Sequence, residues 1–172
     1  MAPGAHLLIS WLTTVNLIKQ RRERVVVALT GVAPDLDGAG LIVDFFTGTT
    51  DYYFKYHHYL GHSFLFAFLV ASIAAFLAKS QKVLVWFLSL FVIHLHFICD
   101  LIGSRSPDGY QWPIYYFYPF NPDYGFTWAG QWELNAWQNQ VVLLLLLVFC
   151  AYYLIVKRIT LLEVFSKRLD SA

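Results

Sequence analysis

The stretch Val83–Asp100, VLVWFLSLFVIHLHFICD, decides the fold. From Val83 to Cys99 it carries no Asp, Glu, Lys or Arg, and Leu, Val, Phe and Ile dominate it. It reads as a helix in the hydrocarbon of a bilayer, which is about 30 Å thick and takes about 20 residues to cross. The run ends on His94, His96 and Asp100, ionisable groups that such surroundings accept only with partners. His96 and Asp100, four apart, share a helix face one turn from each other. His94 lies about 200° around the axis from His96 and reads as a packed, structural histidine.

Two more charge-free runs flank this one, Tyr56–Ala78 and Leu134–Val156, with apolar cores at Phe64–Leu77 and Val141–Val156. All three are predicted to be transmembrane helices. Ahead of them His6–Ile18 and Val25–Val32 lie either side of the basic hairpin Lys19-Gln-Arg-Arg-Glu-Arg24. The second piece is too short to cross alone, so the pair reads as a half-inserted hairpin or as helices extended through polar flanks. The expected fold is all-α: a polytopic membrane helical bundle of three clear transmembrane helices plus a short N-terminal helical pair, four to five membrane helices in one domain over residues 1–172.

Composition agrees. Of 172 residues 58% are hydrophobic and 13% charged, where a soluble domain carries about 25% charged. A net charge of +1 supplies no field for nucleic acid, which is excluded as a direct partner. Cys99 and Cys150 sit inside apolar runs and carry no redox information. No basic residue precedes Lys19, so no secretory signal is expected and Met1 onward reads as mature protein.

Ten of the twelve Lys and Arg fall in three clusters: Lys19, Arg21, Arg22, Arg24; Lys79, Lys82; and Lys157, Arg158, Lys167, Arg168. If the N-terminal pair makes one excursion, all three lie on one face, which the positive-inside rule makes cytoplasmic. The N-terminus and the loops Ala33–Gly61 and Gly103–Asn139 then lie on the trans side. Between Tyr110 and Trp137, 12 of 28 residues are Phe, Trp or Tyr. Residues 103–139 are therefore expected to form an aromatic-rich interfacial loop on the trans side, and Pro107, Pro113, Pro119 and Pro122 exclude a long helix there. Leu161–Ala172 reads as an amphipathic cytoplasmic tail without chemistry.

Four segments bring metal-ligand residue types to that trans side. His6 lies in the first apolar piece. Pro34-Asp35-Leu36-Asp37-Gly38 sets two carboxylates two apart in a turn, able to point at one cation. His57-His58-Tyr59-Leu60-Gly61-His62-Ser63 places three histidines in six residues at a membrane boundary; His58 and His62 share a face if it is helical, and His57 and His62 converge if Gly61 breaks it. His96 and Asp100 complete the set. Each segment alone is as readily a packed histidine or a solvated turn. Ser63 beside His62 is a weak nucleophile candidate.

The ordered set resembles the predicted membrane-bound metal-dependent hydrolases, also described as LexA-binding, inner-membrane-associated hydrolases, whose ligand pattern is similar to that of zinc-dependent phospholipase C. The resemblance covers about Met1 to Pro119, including Trp112-Pro113. It implies metal ligation by His6, Asp35, Asp37, His57, His62, His96 and Asp100. The chain departs in the third motif, where the family reads His-Arg-x-x-Thr-His-Ser: His58 takes the Arg place and Gly61 the Thr place. An Arg able to clamp phosphate bidentately is missing.

Seven candidate ligands exceed what one structural zinc needs and suit one or two divalent ions, zinc first, manganese or iron also compatible. The expected function is an integral membrane metal-dependent hydrolase of the bacterial inner membrane, acting on a phospholipid or lipid-linked ester at the trans face, with Asp35, Asp37 or Asp100 as proton acceptor. The alternative is a metal-binding membrane protein without turnover, serving as ion or proton relay, sensor or scaffold. A structural metal staple is the third reading. A relay would string its ligands through the bilayer, whereas a hydrolase would gather them at one depth.

Overall fold

The computed structural model describes residues 1–165. Seven α-helices follow in order: α1 (Pro3–Thr14), α2 (Arg21–Thr30), α3 (Gly40–Thr47), α4 (Tyr52–Tyr56), α5 (Phe64–Leu77), α6 (Lys82–Gly103) and α7 (Trp137–Tyr152). A 3-10 helix, Ala33–Ala39, joins α2 to α3; a π turn, Tyr153–Lys157, extends α7; and a last 3-10 helix spans Leu161–Val164. No strand occurs among the described residues, only isolated bridges between Arg105 and Glu133 and between Ile114 and Phe126.

Helix α6 realises the decisive stretch. Its 22 residues rise about 33 Å at 1.5 Å per residue, enough to cross a bilayer, as are the 21 of Trp137–Lys157. The expectation of three clear spans and four to five membrane helices needs correction: two helices are long and apolar enough, or three if α2 and the Ala33–Thr47 segment, bent by 45°, count as one broken span. The run Tyr56–Ala78 yields only the 14 residues of α5, about 21 Å. The physical reason is local. Ser63 caps α5, its hydroxyl accepting from the Phe66 N–H at 3.2 Å and donating to the Leu60 carbonyl at 2.9 Å, so the histidines before it fold as a loop.

Packing centres on small residues. Ala67, Ala71 and Ala74 of α5 are buried at helical spacing, and this stripe lets α6 approach closely. Ile18 and Val27 join Ala74, Ala78, Val85 and Val92 in one cluster, which seats α2 on the α5–α6 hairpin. The α5–α6 turn is tied to α2 through Glu23, whose carboxylate accepts from the Lys79 and Ser80 N–H groups at 3.2 and 3.1 Å. At the α1–α2 crossing a Cβ on Gly31 would fall 1.7 Å from the Ser10 hydroxyl, so only glycine permits that approach. Helix α7 buries no residue; Cys150 and, just beyond it, Tyr153 pack on the Trp11 cluster of α1, and at its other end Asn139 donates to the Gly103 carbonyl of α6 at 2.9 Å.

The second end of that contact differs from expectation. Residues 161–164 of the proposed tail are docked, and Glu163 is fully buried, while residues 166–172 of the tail lie outside the described residues. Glu163 accepts from Arg24 Nε and Trp11 Nε1, both at 2.8 Å. Arg24 also donates to the Lys19 carbonyl at 2.7 Å, and Arg21 donates to the Glu163 carbonyl. Arg24, counted as a positive-inside charge, is thus a buried ionic partner that ties the segment after α7 to the α1–α2 hairpin.

Removing one side of a buried pair leaves the other uncompensated. Glu163→Ala is expected to lower stability by about 3–5 kcal/mol, read as thermal unfolding in detergent, and an Arg24→Met, Glu163→Leu double variant to regain most of it.

Candidate metal centre

The site is built around Asp100, a buried carboxylate near the end of α6. Its Oδ2 lies 3.0 Å from His96 Nε2 and 3.3 Å from His62 Nε2, with His58 Nε2 at 3.9 Å. Its Oδ1 meets His6 Nε2 at 3.2 Å and the Met1 ammonium. The N-terminal segment with α1 and the loop before α5 therefore meet α6 on one side chain. His96 also stacks on His6, ring centroids 3.7 Å apart, and faces Asp35 Oδ1 at 3.7 Å.

Outer partners aim the inner nitrogens. His96 Nδ1 donates to the Gly31 carbonyl at 2.8 Å, which turns Nε2 toward Asp100. His62 Nδ1 meets Asp37 Oδ2 at 3.0 Å, and its Nε2 points inward in the same way. Asp37 lies behind the cluster. Its Oδ1 holds His57 Nδ1 at 2.8 Å, and its Oδ2 also accepts from the His58 and Gly61 N–H groups at 3.0 and 3.2 Å. A carboxylate saturated this way orients ligands, an arrangement found around metal-bound histidines.

Two donor groups emerge, His6, Asp35, His96 and Asp100, and His58, His62 and Asp100, the atoms of each within 4.8 Å of one another. Asp100 belongs to both. The expected residues thus divide: His6, Asp35, His62, His96 and Asp100 gather, whereas Asp37 and His57 stand one layer out. His58 was not among the expected ligands. It joins His62 as the four-residue spacing allowed, but through a turn and not a helix, with its backbone at φ 71°, a left-handed conformation costly for a residue with a Cβ. His94 bonds the Leu90 carbonyl at 2.7 Å and Tyr116 Oη at 3.0 Å, away from the cluster.

The donor set suits a cation. His62 Nε2 and His96 Nε2 stand 3.2 Å apart while both face Asp100 Oδ2, so three potential ligand atoms crowd one buried point. His6 Nδ1, Asp35 Oδ2 and His58 Nδ1 are buried without hydrogen-bond partners, which native interiors seldom allow. Burial opposes charge on His62, but its bonds to Asp100 and Asp37 outweigh this and push it up to about 9. Burial and the adjacent His62 hold His58 well below its usual range. Imidazole with carboxylate is a shell for zinc, manganese or iron.

A cleft of about 460 Å³ opens onto the cluster, bordered by Asp35, His58 and Asp100 at its floor and by Leu41, Pro107 and Leu134 among its walls. The 103–139 loop folds over this end. Trp112 packs on His57 and His58, centroids 5.3 and 5.7 Å away, and buried Gln131 donates to the Asp100 carbonyl at 2.9 Å.

The chain belongs to the YdjM inner membrane protein family, whose family model matches residues 1–164. No curated protein and no solved structure matches it.

The site depends on Gly61. A Cβ there would stand 2.2 Å from the Pro34 carbonyl and 3.0 Å from Asp37 Oδ2. Gly61→Ala should separate the histidine loop from the Pro34–Gly38 turn and lower stability by about 1–3 kcal/mol, measured by thermal unfolding beside the wild type.

Proposed function

We propose that this YdjM-family membrane protein holds one or two divalent cations, zinc foremost, and hydrolyses a phospholipid or lipid-linked ester at the non-cytoplasmic face. The observation that carries the reading is Asp100, one carboxylate shared by two donor groups at the floor of a cleft. His6, Asp35 and His96 would hold one ion and His58 and His62 the other, with Asp100 between them. A divalent cation supplies Lewis acidity and lowers the pKa of water at an open position to about 7.

The chain's own groups then divide the work. Asp35 borders the cleft and has an oxygen without a partner, so it serves as the proton acceptor. Asp37 keeps His62 and His57 oriented and, with its acceptor sites engaged, takes no proton itself. Trp112 and Tyr53 wall the cleft and limit water. Ser63 is committed to capping α5 and takes no part. Leu41, Pro107 and Leu134 give the cleft an apolar side suited to a lipid chain. A relay would need donors along the length of α6; those of this chain gather at one end, and His94, the other polar group in that helix half, is turned away.

Elemental analysis of detergent-purified protein tests the metal. Wild type should carry about two ions per chain, and His62→Ala and Asp100→Ala should lose them; Asp37→Asn should keep the ions with affinity weakened about 10–100-fold. Hydrolysis of a lipid panel by loaded protein then separates enzyme from binder. Full metal content with every lipid left intact would sink the hydrolase.

A further inference from the structure

A second cleft, of about 370 Å³, adjoins the first, and His57 and Trp112 form the wall between them. Its lining combines Phe54, Tyr110 and Trp112 with two charges, Asp51 and Lys55. The three rings pack on one another at centroid distances of 5.0 to 5.4 Å. They form a rigid aromatic side that reaches the metal cluster through the contact of Trp112 with His57.

The charges are the informative part. Asp51, which precedes α4, and Lys55, in its last turn, are one turn apart, and the Lys55 N–H donates to the Asp51 carbonyl at 3.1 Å. Their side chains do not pair: no ion pair within 4.0 Å involves either one among the described residues. The Lys55 ammonium instead lies 5.3 Å over the Tyr56 ring. Opposite charges so placed, exposed and not neutralised by each other, suit neither a purely anionic guest, which Asp51 repels, nor a purely cationic one, which Lys55 repels. A guest carrying both charges satisfies them together. Aromatic faces beside a carboxylate add the surroundings that favour an ammonium group, and a Lys ammonium is a point charge suited to phosphate.

We propose that this second cleft is the headgroup subsite for a zwitterionic phospholipid: Lys55 takes the phosphate, while Asp51 with the Phe54, Tyr110 and Trp112 rings takes the ammonium. The assignment rests on the lipid-hydrolase reading for its orientation, headgroup in this cleft and ester bond over the metal centre, but it is tested by binding alone.

Full-length protein in detergent is titrated calorimetrically with dihexanoyl-phosphatidylethanolamine, dihexanoyl-phosphatidylglycerol and free phosphorylethanolamine, with and without added zinc. Wild type should bind the ethanolamine lipid about tenfold tighter than the glycerol lipid, Asp51→Asn should level the two, and Lys55→Ala should weaken both about tenfold. Both variants should keep the wild-type metal content, which also shows that they are folded. Equal affinity for the two lipids in wild type, or a preference that survives Asp51→Asn, overturns the subsite. Phosphorylethanolamine bound as tightly as the lipid overturns its assignment to a lipid. Selective binding by protein that takes up no zinc leaves the subsite standing while the hydrolase falls; a metal-loaded, lipid-cleaving protein indifferent to headgroup does the reverse.

Discussion

A carboxylate taken out of water must find its charge balanced nearby, and Asp100 is almost wholly buried. That constraint organises this end of the molecule. Its two oxygens draw in His96 from the same helix, His6 from α1, and His62 and His58 from the loop before α5. None of these imidazoles could be buried alone without cost, and together they crowd their ring nitrogens and one carboxylate around a single buried point.

The rest of the fold serves this convergence. The approach of α1 to α2 at Gly31 brings the Gly31 carbonyl within 2.8 Å of His96 Nδ1, so a helix crossing and a ligand's orientation are one event. The Asp44 carboxylate accepts from the Tyr52 and Tyr53 N–H groups, both at 2.8 Å, and so fixes α4 against α3 beside the cleft. Asp37 then clips the histidine loop to the turn beneath it. At the far end of the same hairpin, the Arg24–Glu163 pair holds the segment beyond α7, a helix that otherwise presents its apolar surface to the bilayer on nearly every side.

Much of this architecture was legible in the residues. The charge-free run ahead of Asp100 announced α6, and residue types alone marked His6, Asp35, His62, His96 and Asp100, which the chain brings together. Asp37 carries the same chemistry as Asp35 two positions away, yet one faces the cluster and the other backs it, because a 3-10 turn sends alternate side chains to different layers. Spacing paired His58 with His62 only on the condition that the stretch is helical, and the resemblance chose His57 instead; the two meet through a turn with a left-handed angle at His58. The Arg24–Glu163 contact was hidden: 139 positions separate the two, and Arg24 in a basic hairpin looks like any topogenic charge.

Sequence by itself determined that the chain is helical and membrane-bound and that imidazole and carboxylate groups collect toward one end, because hydropathy and residue chemistry are local properties. Tertiary structure alone decided which of them touch, which only steer, and how far each apolar run continues as helix. Those outcomes depend on backbone angles and on partners distant along the chain, and a linear pattern carries neither.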